Sequence, residues 1–511
     1  MNLAKKLSEV ARRYANRPAM IFENAVYTYQ DLDKEVERYS ALLSRLNVQP
    51  GDRVAIQLPK QMEFIFLELA ILSVGATALP LNTDYKAEEI DYFLTDSDSS
   101  LFFTDRQRFS QAEEKLKKLT GLKVVLVDFA DYSGTLSLDR ELVRDLRGYM
   151  RQYPTGADDL AVICYTSGTT GRPKGAMITH KNLISNTTAL HEIWEWTDRD
   201  VLLHALPLFH VHGLFVALHG GLYAGATIIM QEKFDPARIW KTIEREKCTL
   251  FMGVPTMYQR LLNQWESMDT KPALNTMRVF ISGSAPLLEA QFNRFEHQTG
   301  FRILERYGMT EAGMIASNRI DPNGRKAQSV GYPLPGVEIR VVSQSGQDVS
   351  PGDVGEVWVR GENVFKGYWR MPEKTGESFE NNWLKTGDLG YQDPGDDARL
   401  YLVGRAKELI ITGGYNVYPK EVENVLEGHV AIREAAVIGL PDMDFGEKVT
   451  AVVVRYESHT ELSPESLISY CKSHLANYKC PKMVFFVDGL PRNAMGKLQK
   501  NELTNRFRGE A

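Results

Sequence analysis

Cysteine is scarce in this sequence, and the cysteines that occur follow no ligand or disulfide spacing. The chain has four among 511 residues, namely Cys164, Cys248, Cys471 and Cys480. None belongs to a C-x-x-C pair, which excludes a cysteine-based zinc site of the common spacings. We therefore expect reduced thiols in a cytoplasmic protein.

An excess of positive charge and a long uninterrupted apolar segment are also missing. The net charge of −6 gives no reason to expect a nucleic-acid partner. The most apolar run, residues 64–81, contains Glu68 and is interrupted by Gly75 and Pro80. It predicts a buried helix followed by a strand, and we expect no integral membrane segment. The first 20 residues lack the apolar core of a signal peptide.

The remaining composition is that of a globular protein with more than one domain. Hydrophobic residues make up 43% and charged residues 25% of the sequence, and a chain of this length exceeds one ordinary core. Short β-rich runs alternate with longer helical patterns, which is typical of a layered α/β architecture. The predicted strands are residues 53–58, 101–105, 123–128, 226–230, 249–255 and 277–283.

Two later changes of pattern predict the domain organisation. Beyond about residue 330, period-two strands at 337–342 and 355–361 flank a turn-rich segment, which indicates a small β unit. The last 100 or so residues have the strand and helix pattern of a compact α+β unit. We predict a large N-terminal domain of layered α/β subdomains plus a β unit, residues 1–404, and a small mobile α+β C-terminal domain, residues 405–511.

The stretch YTSGTTGRPKG, residues 165–175, has the composition of a phosphate-binding loop. Glycines and small hydroxylated residues let successive backbone N–H groups converge on an anion, and a lysine adds a positive charge. A predicted strand precedes the loop and a predicted helix follows it, a common setting for phosphate binding. Pro173 breaks the Walker pattern, and composition alone leaves an ordinary surface loop as an alternative. The candidate phosphate-binding residues are Thr166, Ser167, Gly168, Thr169, Thr170, Gly171 and Lys174.

This loop resembles the signature loop of the adenylate-forming superfamily of acyl-CoA synthetases, peptide-synthetase adenylation domains and beetle luciferases. The resemblance continues in order through ERYGMTE (305–311), KTGD (385–388), GRAKELIITGGYNVYP (404–419) and PRNAMGK (491–497). It implies that a carboxylate and ATP form an acyl adenylate with loss of pyrophosphate. A thiol, usually that of coenzyme A, then displaces AMP. The implied cofactors are ATP, Mg²⁺ and coenzyme A, and the implied partners are small molecules.

The resemblance also implies roles for individual residues around the nucleotide. Lys497 matches the catalytic lysine, which bridges the substrate carboxylate and the α-phosphate. Thr310 and Glu311 match a phosphate contact and the magnesium ligand. Asp388, with Arg405 beside it, matches the aspartate that binds the ribose. The adenine wall and its flanking residues are Ser284, Ala285, Pro286, Glu305, Arg306, Tyr307 and Gly308.

Two further assignments follow from the resemblance and concern the C-terminal domain. Lys407 matches the hinge residue about which that domain rotates between the two half-reactions. The rotation would withdraw Lys497 and bring Gly413, Gly414 and Tyr415 to the coenzyme A tunnel. Glycine suits a tunnel wall because the pantetheine must pass close to backbone.

Four segments are candidates for the acid pocket, namely residues 206–218, 254–262, 277–288 and 307–314. They look most like those of malonyl-CoA synthetases, so malonate or methylmalonate is the expected substrate. A second carboxylate needs a positive partner or several donors. The candidate residues are His210, His212, Arg278, Ser282 and Met309. Two alternatives stay open, namely a medium- or long-chain fatty acid–CoA ligase and a stand-alone adenylation enzyme that loads a carrier protein.

Overall fold

The computed structural model describes residues 2–128, 134–144, 146, 149, 155–166, 172–396, 399–442, 444–459, 461–493 and 497–509. The candidate residues Ser167, Gly168, Thr169, Thr170 and Gly171 lie outside this description.

Helices occur along the whole of the described chain. The α-helices are α1 (Leu3–Arg13), α2 (Tyr29–Arg45), α3 (Met62–Ser73), α4 (Ala87–Ser97), α5 (Arg106–Leu116), α6 (Leu138–Leu142), α7 (His180–Ile193), α8 (Gly220–Ala224), α9 (Pro236–Arg245), α10 (Pro255–Ser267), α11 (Glu289–Thr299), α12 (Pro372–Ser378), α13 (Pro419–Glu427), α14 (Pro464–His474) and α15 (Lys500–Phe507). A π-helical segment covers His212–His219, and 3₁₀ turns cover Pro322–Gly324, Ala406–Glu408 and Glu457–His459.

The strands alternate with these helices in the first 300 or so residues and then follow one another more closely. They are β1 (Pro18–Phe22), β2 (Ala25–Thr28), β3 (Arg53–Gln57), β4 (Thr77–Pro80), β5 (Leu101–Thr104), β6 (Lys123–Leu126), β7 (Leu136–Ser137), β8 (Leu160–Thr166), β9 (Lys174–Thr179), β10 (Val201–His204), β11 (Thr227–Met230), β12 (Leu250–Gly253), β13 (Val279–Ser282), β14 (Leu304–Met309), β15 (Gly313–Ser317), β16 (Ser329–Pro333), β17 (Val337–Val342), β18 (Gly355–Gly361), β19 (Gly367–Tyr368), β20 (Phe379–Glu380), β21 (Trp383–Gln392), β22 (Leu400–Arg405), β23 (Ile410–Thr412), β24 (Tyr415–Val417), β25 (Ile432–Asp442), β26 (Gly446–Arg455) and β27 (Met483–Phe486).

Two large mixed sheets form the N-terminal part. One has the strand order β19-β9-β8-β4-β3-β5-β6-β7, with parallel pairing from β8 to β7. The other runs β17-β18-β21-β22-β16-β15-β14-β13-β12-β10-β11-β1-β2, and its strands from β14 to β1 are parallel. The predicted helix and strand within residues 64–81 are α3 and β4.

Apolar side chains on alternate strand positions divide the interior into separate cores. Leu202 of β10 faces the core shared by the two sheets, whereas Leu203 faces a core built around Trp240, Phe280 and Phe295. The parallel strands are therefore buried on both faces, which explains their near-continuous apolar sequences. The predicted α/β class with a large N-terminal part and a small C-terminal part is confirmed.

The C-terminal part has its own sheet and core. Its strand order is β24-β23-β26-β25, and β27 pairs in parallel with β26. The core includes Val422, Val437, Val453 and Leu467, which come from α13, β25, β26 and α14 in that order. No helix of the described chain is long and apolar enough to cross a bilayer.

Candidate active site

The Gly-rich loop joins two strands, which differs from the predicted order of strand, loop and helix. β8 and β9 pair antiparallel, with Thr166 opposite Lys174, so the loop closes a hairpin. The helix α7 begins only after β9, because Thr179 and Asn182 cap its first turn reciprocally. The hairpin nevertheless places Lys174 at the end of the loop, where its ammonium can reach a phosphate.

Lys174, Tyr368 and Glu311 form one connected group. The Lys174 ammonium lies 4.1 Å from the centre of the Tyr368 ring, a cation–π distance. The Tyr368 hydroxyl donates a hydrogen bond of 2.9 Å to Oε1 of Glu311, a buried residue. The loop lysine and the candidate magnesium ligand, which are 137 positions apart in the sequence (311 minus 174), therefore lie on the same side of the molecule.

A second group contains Tyr307, Asp388 and Arg405. The Tyr307 hydroxyl donates a 2.6 Å hydrogen bond to Oδ2 of Asp388, and Arg405 Nε lies 3.2 Å from Oδ1. Asp388 of β21 is directly opposite Arg405 of β22 in the sheet, which fixes this ion pair. Burial, followed by the Asp388 charge, raises the pKa of Tyr307 well above its usual value. The Tyr307 hydroxyl therefore stays protonated, and the polar atoms of this group could form hydrogen bonds with ribose hydroxyls.

Lys497 approaches this second group from the C-terminal part. Its backbone N–H donates a 3.0 Å hydrogen bond to Oδ1 of Asn493. Burial, followed by the Arg405 charge, lowers the pKa of Lys497 to about 8. After burial and the Arg306 charge, the Lys497 charge also contributes to the lowered pKa of His210.

Ser284, His210 and His212 lie together at the carboxyl ends of the parallel strands. The Ser284 hydroxyl is hydrogen-bonded to Nδ1 of His212 at 3.2 Å, and the His212 N–H donates to Nδ1 of His210 at 3.3 Å. Ser284 has φ of +70°, a strained conformation of the kind found at binding sites. Burial, followed by the Arg306 charge, lowers the pKa of His210 to about 4 and that of His212 well below its usual value.

The Arg306 charge acts on both histidines, and within the described ranges no carboxylate forms an ion pair with it. The residue is 3% exposed, and among the described residues its Nε and Nη2 atoms have no hydrogen-bond partner. Burial lowers the pKa of Arg306 to about 9, so it remains positive at neutral pH. Ser282 on the neighbouring strand is also buried, and its hydroxyl likewise has no partner in the described ranges.

Arg278 is removed from the candidate acid site. It precedes β13, at the opposite end of that strand from Ser282. Its guanidinium forms two 2.9 Å hydrogen bonds with Asp200 and reaches the carbonyl of Glu195 at 3.2 Å. Because these groups already use its donors, Arg278 anchors the amino ends of two strands.

The other candidate residues of this region are structural neighbours of the site. Glu305 accepts a 3.1 Å hydrogen bond from the Leu287 N–H and so supports the segment that contains Ala285 and Pro286. Gly308 permits the close β14–β15 pairing, because a Cβ there would lie 2.3 Å from the Gly313 carbonyl oxygen. Met309 ends β14 beside Thr310.

The candidate coenzyme A residues lie on a separate, exposed hairpin. Gly413 and Gly414 have φ of +56° and +82°, which glycine adopts readily, and they turn the chain between β23 and β24. Tyr415 is 60% exposed and stacks on Tyr478, with ring centres 4.8 Å apart.

Two features of the site are missed by reasoning from the sequence. Tyr368, which links Lys174 to Glu311, lies in a short strand paired with β9, and only its place in the motif KGYWR could have suggested it. Arg306 is expected on the nucleotide side, whereas it faces the histidines. Its signal is a charged residue within the strand Leu304–Met309 whose directly opposite residue, Ser317, is uncharged.

Comparison with known proteins identifies the family. Residues 7–369 match the model of the AMP-binding enzyme family, and residues 421–497 match the AMP-binding enzyme C-terminal domain. An oxalate–CoA ligase from Arabidopsis thaliana is 36% identical over 99% of this chain and 98% of that protein. A mitochondrial malonate–CoA ligase from Homo sapiens is 34% identical over 97% of this chain and 91% of that protein.

The solved structures agree with this result. ATP-bound MatB from Rhodopseudomonas palustris is 41% identical, covers 99% of both chains and has a TM-score of 0.90. The fold and these matches together define an AMP-binding enzyme. The chain belongs to the AMP-binding enzyme family. It is a CoA ligase that uses ATP, coenzyme A and a small carboxylic acid. The matched relatives also include a feruloyl-CoA synthase, so family membership alone leaves the acid open.

Proposed function

We propose that this ligase activates malonate or methylmalonate as an acyl adenylate and then transfers the acyl group to coenzyme A. The buried guanidinium of Arg306, whose Nε and Nη2 have no hydrogen-bond partner among the described residues, carries the choice of acid. Removing an ion from water costs several kcal/mol even after the protein relaxes. A second carboxylate on the substrate would offset that cost by accepting charge-assisted hydrogen bonds from Arg306.

The neighbouring histidines would act as uncharged hydrogen-bonding groups beside the Arg306 charge. Because their pKa values lie far below 7, His210 and His212 are uncharged at neutral pH, and Arg306 supplies the positive charge. The hydroxyls of Ser282 and Ser284 and the imidazoles would provide further hydrogen bonds around a small polar acid. This combination suits a dicarboxylate better than an alkyl chain.

A medium- or long-chain fatty acid is the main alternative. An alkyl chain packed against Arg306 would leave the guanidinium desolvated and without an acceptor, which is unfavourable. The carrier-protein alternative shares the same adenylation chemistry and differs only in the thiol that accepts the acyl group. We further propose a reducing compartment such as the cytoplasm, because all four cysteines are buried and free.

We propose that the first half-reaction uses the arrangement of Lys497, Arg405 and Lys174. A carboxylate oxygen of the acid attacks the α-phosphorus of ATP, and pyrophosphate leaves. Lys497 would stabilise the charge that develops between the two reactants, and Lys174 would hold the terminal phosphates.

Glu311 fits a magnesium ion that takes most of its other ligands from phosphates and water. A single carboxylate is the protein contribution typical of such nucleotide-bound ions, and no cluster of three acidic, histidine or cysteine ligands occurs among the described residues. When bound, the ion would neutralise phosphate charge. The Tyr368 hydroxyl holds the Glu311 carboxylate in place.

We propose that the second half-reaction follows rotation of residues 405–511 relative to residues 1–404 about Lys407. The coenzyme A thiolate then attacks the acyl carbon, and AMP leaves. The exposed Gly413–Gly414 turn would line the pantetheine path after this rotation.

The test is a substrate panel measured by ATP- and CoA-dependent AMP release. We expect kcat/KM for malonate to exceed that for propanoate, octanoate and palmitate by at least about 100-fold, because only malonate pairs with Arg306. Arg306→Met should lower malonate kcat/KM by about 30- to 1,000-fold, equivalent to about 2–4 kcal/mol for a buried charge pair. Its propanoate activity should stay within a few-fold of wild type.

Arg278→Met is the matched control, because it makes the same substitution at an arginine that is paired outside the site. It should leave the malonate-to-propanoate ratio unchanged. A wild-type preference for octanoate, or an equal loss of both acids in Arg306→Met, would contradict the proposal. Replacing coenzyme A with a carrier protein in the same assay tests the remaining alternative.

A further inference from the structure

Gly283 lies directly against the guanidinium of Arg306. A Cβ built on Gly283 would lie 2.4 Å from Cζ, 2.5 Å from Nε and 2.6 Å from Nη1 of that arginine. All three nearest atoms belong to the guanidinium, so this group packs on the glycine backbone. A side chain at position 283 would occupy the same space.

The backbone conformation does not require glycine at this position. Gly283 is not among the residues with positive φ, whereas the next residue, Ser284, has φ of +70°. Glycine would be expected at the left-handed position if conformational freedom were the reason for its presence. The segment instead has serine there and glycine one residue earlier. Space for Arg306 is therefore the physical reason for Gly283.

We propose that Gly283 is a specificity-determining residue, which seats the Arg306 guanidinium at the depth where it binds the distal carboxylate of the acid. This inference rests on the proposed dicarboxylate function. A methyl group at position 283 would have to move the guanidinium by about 1 Å to restore ordinary contact beyond 3.4 Å. A misplacement of about 1 Å at a binding group lowers rates by up to about 100-fold.

The two residues should therefore act as one unit on dicarboxylates and have little effect on monocarboxylates. Gly283→Ala should lower kcat/KM for malonate by roughly 10- to 100-fold. The propanoate value and the KM for ATP should change less than about threefold, because Lys497, Glu311 and Asp388 are not displaced. When Arg306 is already alanine, the same glycine substitution should cost less than about twofold, because nothing remains to be displaced.

The experiment is a double-mutant cycle of Gly283→Ala and Arg306→Ala, with malonate and propanoate as the acids. Gly376→Ala is the control, because a Cβ there meets no atom within 4 Å and Gly376 has no positive φ. Thermal unfolding and circular dichroism establish that each variant is folded. A coupling of at least fivefold for malonate, with none for propanoate, is the expected result.

The outcomes separate the two proposals. If both arginine variants, to alanine and to methionine, leave the malonate-to-propanoate ratio unchanged, the dicarboxylate function itself fails. If they abolish the preference but Gly283→Ala leaves it intact, the role of Gly283 is overturned and the function stands. If Gly283→Ala unfolds and the double variant folds, the steric conflict is supported. Unfolding of both would make Gly283 a residue of the fold and overturn the inference.

Discussion

The protonation of Lys497 should limit the first half-reaction at high pH. Lysine normally titrates near 10.5, but burial, followed by the charge of Arg405, lowers the pKa of Lys497 to about 8. The ammonium is the form that stabilises negative charge between the acid and ATP. Activity that depends on it is therefore fully present well below pH 8 and is lost as the pH rises through that value.

The size of the effect follows from a single titration. With a pKa of about 8, roughly nine tenths of the free enzyme carries the charge at pH 7 and roughly one tenth at pH 9. We therefore expect kcat/KM, measured with both the acid and ATP limiting so that it reports the free enzyme, to fall about tenfold across this interval. An unperturbed lysine would produce almost no change over the same range.

The assay is ATP–pyrophosphate exchange between pH 6 and pH 10 at limiting acid and ATP concentrations. Propanoate is the preferred acid, because the titration of Arg306 near pH 9 then contributes nothing. Lys497→Arg should remove the decline below pH 10, since arginine keeps its charge, although its absolute rate will be lower. Lys482→Arg, at an exposed position, should retain the wild-type profile. A flat wild-type profile to pH 9.5, or the same decline in Lys497→Arg, would refute the reasoning.

Two further predictions concern the hinge and the magnesium ligand. Lys407→Pro should leave pyrophosphate exchange within about threefold of wild type, because the first step does not need the rotation. It should lower thioester formation from isolated acyl adenylate at least about 100-fold, because proline restricts the backbone at the hinge and the second step needs the rotation. An equal loss in both steps would contradict the hinge assignment. Tyr368→Phe keeps the ring beside Lys174 but removes the 2.9 Å hydrogen bond to Glu311. It should lower kcat/KM for ATP about tenfold in steady-state kinetics, equivalent to about 1.5 kcal/mol for a hydrogen bond to a charged group. An unchanged kcat/KM would contradict the role of Tyr368 in positioning Glu311.

The sequence predicted the layered fold well because its strands are buried on both faces. Residues 101–105 and 277–283 are apolar runs of strand length between helical patterns, and they correspond to β5 and β13. It did not predict that the Gly-rich loop closes a hairpin. The segment Lys174–Thr179 is a short strand that pairs with β8. Nothing in its local sequence distinguishes such a strand from the start of the following helix.

The acid site shows why residue roles are harder to predict than folds. In the sequence, nothing local distinguishes Arg278 from Arg306 as a candidate for binding an acid. Their difference lies in what the fold brings to each, since Asp200 neutralises Arg278 and no carboxylate within 4.0 Å in the described part of the chain pairs with Arg306. A charge is significant for binding when its partner is missing, and that information is three-dimensional.

The cations around the nucleotide have a consequence for the order of events. Besides burial, Arg405 and Lys174 lower the pKa of Lys407, and Arg405 and Lys407 lower that of Lys497, whereas Asp388 and Glu408 raise both. A bound triphosphate would offset the repulsion among these cations while it is intact. Once pyrophosphate departs, much of that neutralising negative charge is lost, and we expect mutual repulsion to push the small domain away at the moment when the thiol must enter. Added pyrophosphate should reverse this timing and slow thioester formation.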